Sequence, residues 1–111
     1  MGKGAFLGEF EQMVLLAILR LADNAYGMTI RQEIEDRTDR NVTIGSIYAA
    51  LERLSTKGYL RSSVSGPEPI RGGRAKRTYH LTSAGEKALA HSRSMMAKMA
   101  EGLAIDDLGT T

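Results

Sequence analysis

Four cations, Arg71, Arg74, Lys76 and Arg77, fall within seven residues of one another in the stretch PEPIRGGRAKRTYHLTSAG, residues 67–85. Both prolines of the chain and a pair of adjacent glycines lie there too. Pro67 and Pro69 stiffen an extended arm, Gly72-Gly73 lets it bend tightly, and the cations give it charge. Side chains of this kind make and break no bonds; they hold anions. The charge is local: residues 1–40 carry five basic and seven acidic side chains, and residues 82–111 carry three and four. Between them, residues 41–81 set seven basic side chains (Arg53, Lys57, Arg61 and the four above, with Arg77 the last) against Glu52 and Glu68, a balance of +5. A polyanion is the partner such a patch fits.

Other chemistries find no residues to carry them. The absence of cysteine removes disulfides, thiolate metal sites and cysteine nucleophiles. His80 and His91 stand eleven apart with no acidic or cysteine partner at ligand spacing, so no metal site is expected. GGRAK resembles a phosphate loop only superficially, and nucleophile-elbow, paired-carboxylate and dinucleotide patterns do not occur. Neither an enzyme nor a cofactor is expected. The longest apolar run, Met13 to Leu19, is seven residues, against the ~20 that cross a bilayer. With no signal-peptide order at the N-terminus, no membrane association and a cytoplasmic location are expected.

The elements that must position the cations follow from periodicity. At 111 residues one domain is expected. EFEQMVLLAILRL, residues 9–21, is a helix apolar on most sides, with Phe10, Met13, Val14 and Ala17 at helical spacing. Asp23-Asn24 supplies turn and N-cap chemistry for a second helix over about 25–37, with Tyr26, Ile30 and Ile34 inward. Thr43 is the expected N-cap of a third helix running to about Lys57 and closed by Gly58, with Ile44, Ile47, Leu51 and Leu54 on one face. A strand over 60–65, turning Leu60, Ser62 and Val64 inward, pairs with a return strand over 77–81 that buries Tyr79 and Leu81. Thr82 or Ser83 caps a last helix, Ser83 and Glu86 having capping-box spacing. A thin stripe of Ala88, Ser92, Met95, Met99 and Leu103 runs along it, and the tail over 106–111 is expected to be flexible.

Three helices, a hairpin with a cationic loop and a last helix make a mainly α chain in winged helix-turn-helix order, with residues 1–82 forming the DNA-binding unit. In that arrangement the third helix enters the major groove and the hairpin loop reaches the flanking backbone. Thr43, Gly45, Ser46 and Ala49 are small and lie near the start of the third helix, where the backbone could approach the groove floor. Tyr48 could set its hydroxyl on a phosphate; Arg53 and Lys57, further along, are placed for phosphates too. Two rival readings stay open: a protein-interaction module that keeps this shape without nucleic acid, and an RNA binder. The latter is the weaker, since single-strand recognition leans on exposed aromatics and only six Phe and Tyr occur.

The segments LGEFEQMVLLAIL, AYGMTIRQEIE, GSIYAALERLSTKGYL and GGRAKRTYHLTSAGEKAL resemble the PadR family of bacterial transcriptional regulators over about residues 7–104. Ala49 departs from the proline that many members carry after the third-helix tyrosine. The resemblance implies a homodimer binding an inverted repeat of double-stranded DNA, usually as a repressor. It further implies that the last helix, over 83–105, pairs with the first helix of the other subunit. The single C-terminal helix resembles the short-tailed branch, some of whose members respond to aromatic or cationic drugs held between subunits. Phe10, Met13, Val14, Ala17, Leu89, Met95, Met96, Met99 and Leu103 are the residues expected at the dimer interface. Met95, Met96 and Met99, with Met13 or Phe6, could line an adaptable effector pocket; the favoured reading is that they simply pack the dimer.

Overall fold

The computed structural model describes residues 6–64 and 76–105. Its helices are α1 (Glu9–Leu21), α2 (Gly27–Thr38), α3 (Ile44–Thr56) and α4 (Ser83–Ala100), and strands β1 (Leu60–Val64) and β2 (Arg77–Leu81) stand between α3 and α4. The fold is mainly α with a two-stranded antiparallel hairpin, the winged-helix arrangement. The chain's expected loop, with Arg71, Arg74, both prolines and Gly72-Gly73, lies outside the described residues, as does the tail over 106–111.

One core joins the elements. Val14, Leu15 and Ile18 of α1, Ile30 of α2, and Ile47, Leu51 and Leu54 of α3 are all but completely enclosed. Full burial of side chains this size stabilises by ~1.5–3 kcal/mol each before chain entropy is counted. Val14, Ala17 and Leu89 were expected at a subunit boundary, but the protomer's own core already encloses them. Three helices and the base of the hairpin pack around α1. Phe10 and Met13 are half-buried at the edge of that core.

Local chemistry places the ends. α2 starts two residues later than expected, because residues 22–24 form a 3₁₀ turn rather than an N-cap. Tyr26, expected inward, is the half-buried cap position, where its N–H donates to Thr29 Oγ1 at 3.0 Å. Thr43 caps α3 as expected, accepting from the Ser46 N–H at 3.1 Å. Gly58, just past α3, takes φ +84°, a left-handed conformation that costs glycine nothing. Thr82, not Ser83, caps α4: its hydroxyl accepts from the Gly85 N–H at 3.0 Å and donates to the Gly58 carbonyl at 2.6 Å. That hydroxyl ties the start of α4 to the turn after α3. Gly85 completes the tie, since a Cβ there would run into the Tyr59 carbonyl.

In the hairpin Leu60 faces Leu81 and Val64 faces Arg77. Tyr79 and Leu81 point inward as expected, and burial raises the Tyr79 hydroxyl pKa. Ser62 and Val64 do not follow. They are exposed, because β1 is the outer strand: β2 lies against the helices, with Tyr79 opposite Ser62 buried and its N–H on the Ala25 carbonyl, so past Leu60 alternation along β1 has no core to face.

Candidate nucleic-acid interface

The two sides of α3 differ completely. Ile47, Ala50, Leu51 and Leu54 are buried, whereas Thr43, Gly45, Ser46, Tyr48 and Ala49 are exposed. The exposed end is closed on itself by local bonds: Ser46 Oγ donates to the Thr43 carbonyl at 2.9 Å and lies 3.0 Å from Thr43 Oγ1. Gly45 has no partner within the described residues that needs its missing side chain, since nothing lies within 4 Å of where a Cβ would stand. Glycine inside a helix costs roughly 0.5–1 kcal/mol relative to alanine, so here the fold gains nothing in return. Access to the helix backbone is what the position leaves.

Tyr48 is half exposed, with its ring laid across the first turn of α2. A Cβ on Gly27 would sit 2.5 Å from the Tyr48 hydroxyl, so only glycine permits this packing. At the same turn Lys76 of the hairpin places Nζ 4.4 Å from the centre of the Tyr26 ring and 3.3 Å from its hydroxyl. The Tyr79 N–H donates to the Ala25 carbonyl at 2.9 Å, docking the hairpin on the same segment. Thus α3, through Tyr48, and the wing, through Lys76, meet at the N-terminus of α2, where helix N–H groups favour anions. No local spacing in the sequence announces this junction, because its members come from three elements.

The other expected cations are not equally placed. Arg77 bonds back across the hairpin to Ser62 Oγ at 3.1 Å. Arg53 and Lys57, expected to lie free for phosphates, are both paired with Glu11: Arg53 Nε is 3.3 Å and Lys57 Nζ 3.5 Å from Glu11 Oε2. Glu11 is buried in α1 and also accepts the Gly8 N–H at 3.3 Å. Burial pushes its carboxyl upward, but the Gly8 N–H, Arg53 and Lys57 outweigh it and hold the pKa below the ordinary value. Sequence reasoning missed Glu11, which no motif or spacing singles out on a helix apolar on most sides. Among the described residues no three His, Asp or Glu side chains converge as metal ligands, and no helix is long and apolar enough to cross a membrane.

The family profile described as transcriptional regulator PadR-like matches residues 15–91. The chain belongs to this family. PadR-family regulators are DNA-binding transcription regulators and not enzymes, in keeping with the small-residue face of α3 and the wing. No curated protein matches the chain. A PadR family transcription regulator from hypervirulent Clostridium difficile R20291 is 26% identical with a TM-score of 0.64, the match covering 82% of this chain and 94% of that one. A PadR-like transcription factor from Bacteroides fragilis is 25% identical with a TM-score of 0.68, covering 83% and 84%. F93 from STIV, a winged-helix DNA-binding protein, shares only 18% identity but reaches a TM-score of 0.67 over 87% of this chain and 97% of its own. At that identity the likeness concerns the fold alone.

Proposed function

We propose that this PadR-family chain is a homodimeric repressor that reads an inverted-repeat operator in duplex DNA. The observation that carries the reading is the small-residue face of α3, left bare by a protomer that buries the whole opposite face. Thr43, Ser46 and Ala49 take the groove floor, Tyr48 and Lys76 the phosphates beside it, and Arg71 and Arg74 the flanking backbone. Residues 1–82 act as the DNA-binding unit and residues 83–105 as the dimerisation segment, of which α4 forms only Ser83–Ala100, shorter than the helix expected over 83–105. In support of the latter, Met96, Met99 and Leu103 are 66%, 77% and 63% exposed, more apolar surface than an isolated helix end leaves in water without reason. Two such subunits would set their α3 helices about 34 Å apart, one turn of DNA.

The place for a small-molecule effector in this reading is a cleft of about 430 Å³ between α1 and α4, lined by Leu7, Glu9, Gln12, Met13, Leu16 and Met96. Of the methionines expected there, Met13 and Met96 line it, whereas Met95 and Met99 do not. Phe6 instead packs against His91, the rings tilted by 47° with centres 5.2 Å apart.

The test is duplex binding by Ser46→Glu, which sets a carboxylate on the bare face without touching the core. Binding to the DNA upstream of the protein's own gene should be lost while the melting temperature holds. Arg74→Ala with Lys76→Ala should flatten the salt dependence by ~0.9 for each phosphate contact removed. Undiminished binding by Ser46→Glu would remove α3 from the interface.

A further inference from the structure

We propose that Glu11 limits non-specific DNA binding by holding Arg53 and Lys57 to itself in the free protein. The inference rests on the reading of α3 as the DNA-facing helix. A single oxygen, Oε2, takes both cations, while Oε1 takes the Gly8 N–H, so the carboxylate is fixed from α1 and cannot swing away with them. The partners are unlike in exposure: the Glu11 side chain is 11% exposed, those of Arg53 and Lys57 52% and 41%. The cations therefore reach the surface and the anion does not. Among the described residues neither has another acidic partner.

That asymmetry decides what DNA meets. A phosphate approaching this flank of α3 finds two cations already sharing one negative charge, and must draw them from a carboxylate that water cannot resolvate fully. Leaving that carboxylate uncompensated beside a polyanion costs free energy on every sequence alike. Only a site that adds base contacts through the N-terminal half of α3 offsets it. Glu11 thereby lowers affinity by the same free energy on every duplex, which leaves a complex held by phosphate contacts alone weak, and it does so as a positioning residue that never touches DNA.

The experiment is a salt titration of Glu11→Gln against a mixed-sequence duplex. Glutamine keeps the shape and can still accept the Gly8 N–H. The variant should bind more tightly, with the slope of log K against log salt steeper by ~0.9 for one freed cation and up to ~1.8 for both. The gain should vanish when Arg53→Gln and Lys57→Gln are added, an outcome that a general change in net charge or stability would not produce. Should Glu11→Gln fail to melt cooperatively, Glu11→Asp draws the carboxylate back by one methylene and should steepen the slope in the same direction by less. An unchanged or shallower slope overturns the inference. If Ser46→Glu loses duplex binding and Glu11→Gln leaves the slope unmoved, only the role of Glu11 falls. If Ser46→Glu binds undiminished, the reading of α3 falls with it.

Discussion

Two apolar stripes at the same helical spacing meet opposite fates in this molecule. On α3, Ile47, Leu51 and Leu54 are 1% exposed or less, covered by α1 and α2. On α4, Ala88 and Ser92 are buried, but among the described residues the stripe opens to solvent from Met95 onward, with Met99 and Leu103 mostly exposed. The crossover is at Ser92, whose hydroxyl accepts the Leu7 N–H at 3.0 Å and anchors α4 to the segment leading into α1. Periodicity announces that a helix has a face to bury; it does not say which chain buries it. α3 finds its cover within the protomer, and the second half of α4 reaches past the protomer's edge.

The sharpest break in that comparison is Leu51→Ala. It opens a cavity in the covered stripe and should cost about 2–5 kcal/mol in urea unfolding. A loss below 1 kcal/mol would mean α3 is less tightly held than its burial implies. Next is Gly85→Ala at the root of α4, where the obstructing Tyr59 carbonyl is itself held by the Thr82 N–H at 3.0 Å. About 1–3 kcal/mol should be lost as the helix start shifts, read as a lowered urea midpoint.

A smaller effect concerns the acid limb. The Glu11 carboxyl is held below its usual pKa in the folded chain, so the stability it contributes is fully present above the unfolded carboxylate value and is lost as pH falls through the folded one. Glu11→Gln should therefore lose less stability than the parent as pH falls below ~4.3, compared by urea midpoints on either side of that value. Gly45→Ala, on the bare side of α3, should move in the opposite sense. Stability should rise by about 0.5–1 kcal/mol while duplex affinity falls, a combination that separates a surface kept open for DNA from one merely unoccupied.

The smallest effect on the protomer belongs to the uncovered stripe. Met99→Ala should change the unfolding free energy by no more than ~0.5 kcal/mol at concentrations too low for the proposed dimer to form. Met96→Asp with Met99→Asp should instead act on assembly, giving a single monomeric species in sedimentation. A dimer that survives both charges would place the subunit contact elsewhere.

The sequence alone carried the element order, the Thr43 cap, the left-handed Gly58, the inward Tyr79 and Leu81, and the bare small-residue face of α3. All of these depend on neighbours within a few residues or on a repeat along one element, which is information a linear chain displays. The three-dimensional packing decided the rest. It enclosed Val14, Ala17 and Leu89 in the protomer's own core, left Ser62 and Val64 exposed on the outer strand of the hairpin, and brought Tyr48 and Lys76 to one turn of α2. It also set Glu11 against Arg53, forty-two positions away along the chain. Charge pairing and cover between such distant residues follow from how helices cross, and crossing is settled by the whole core at once, so no local pattern records it.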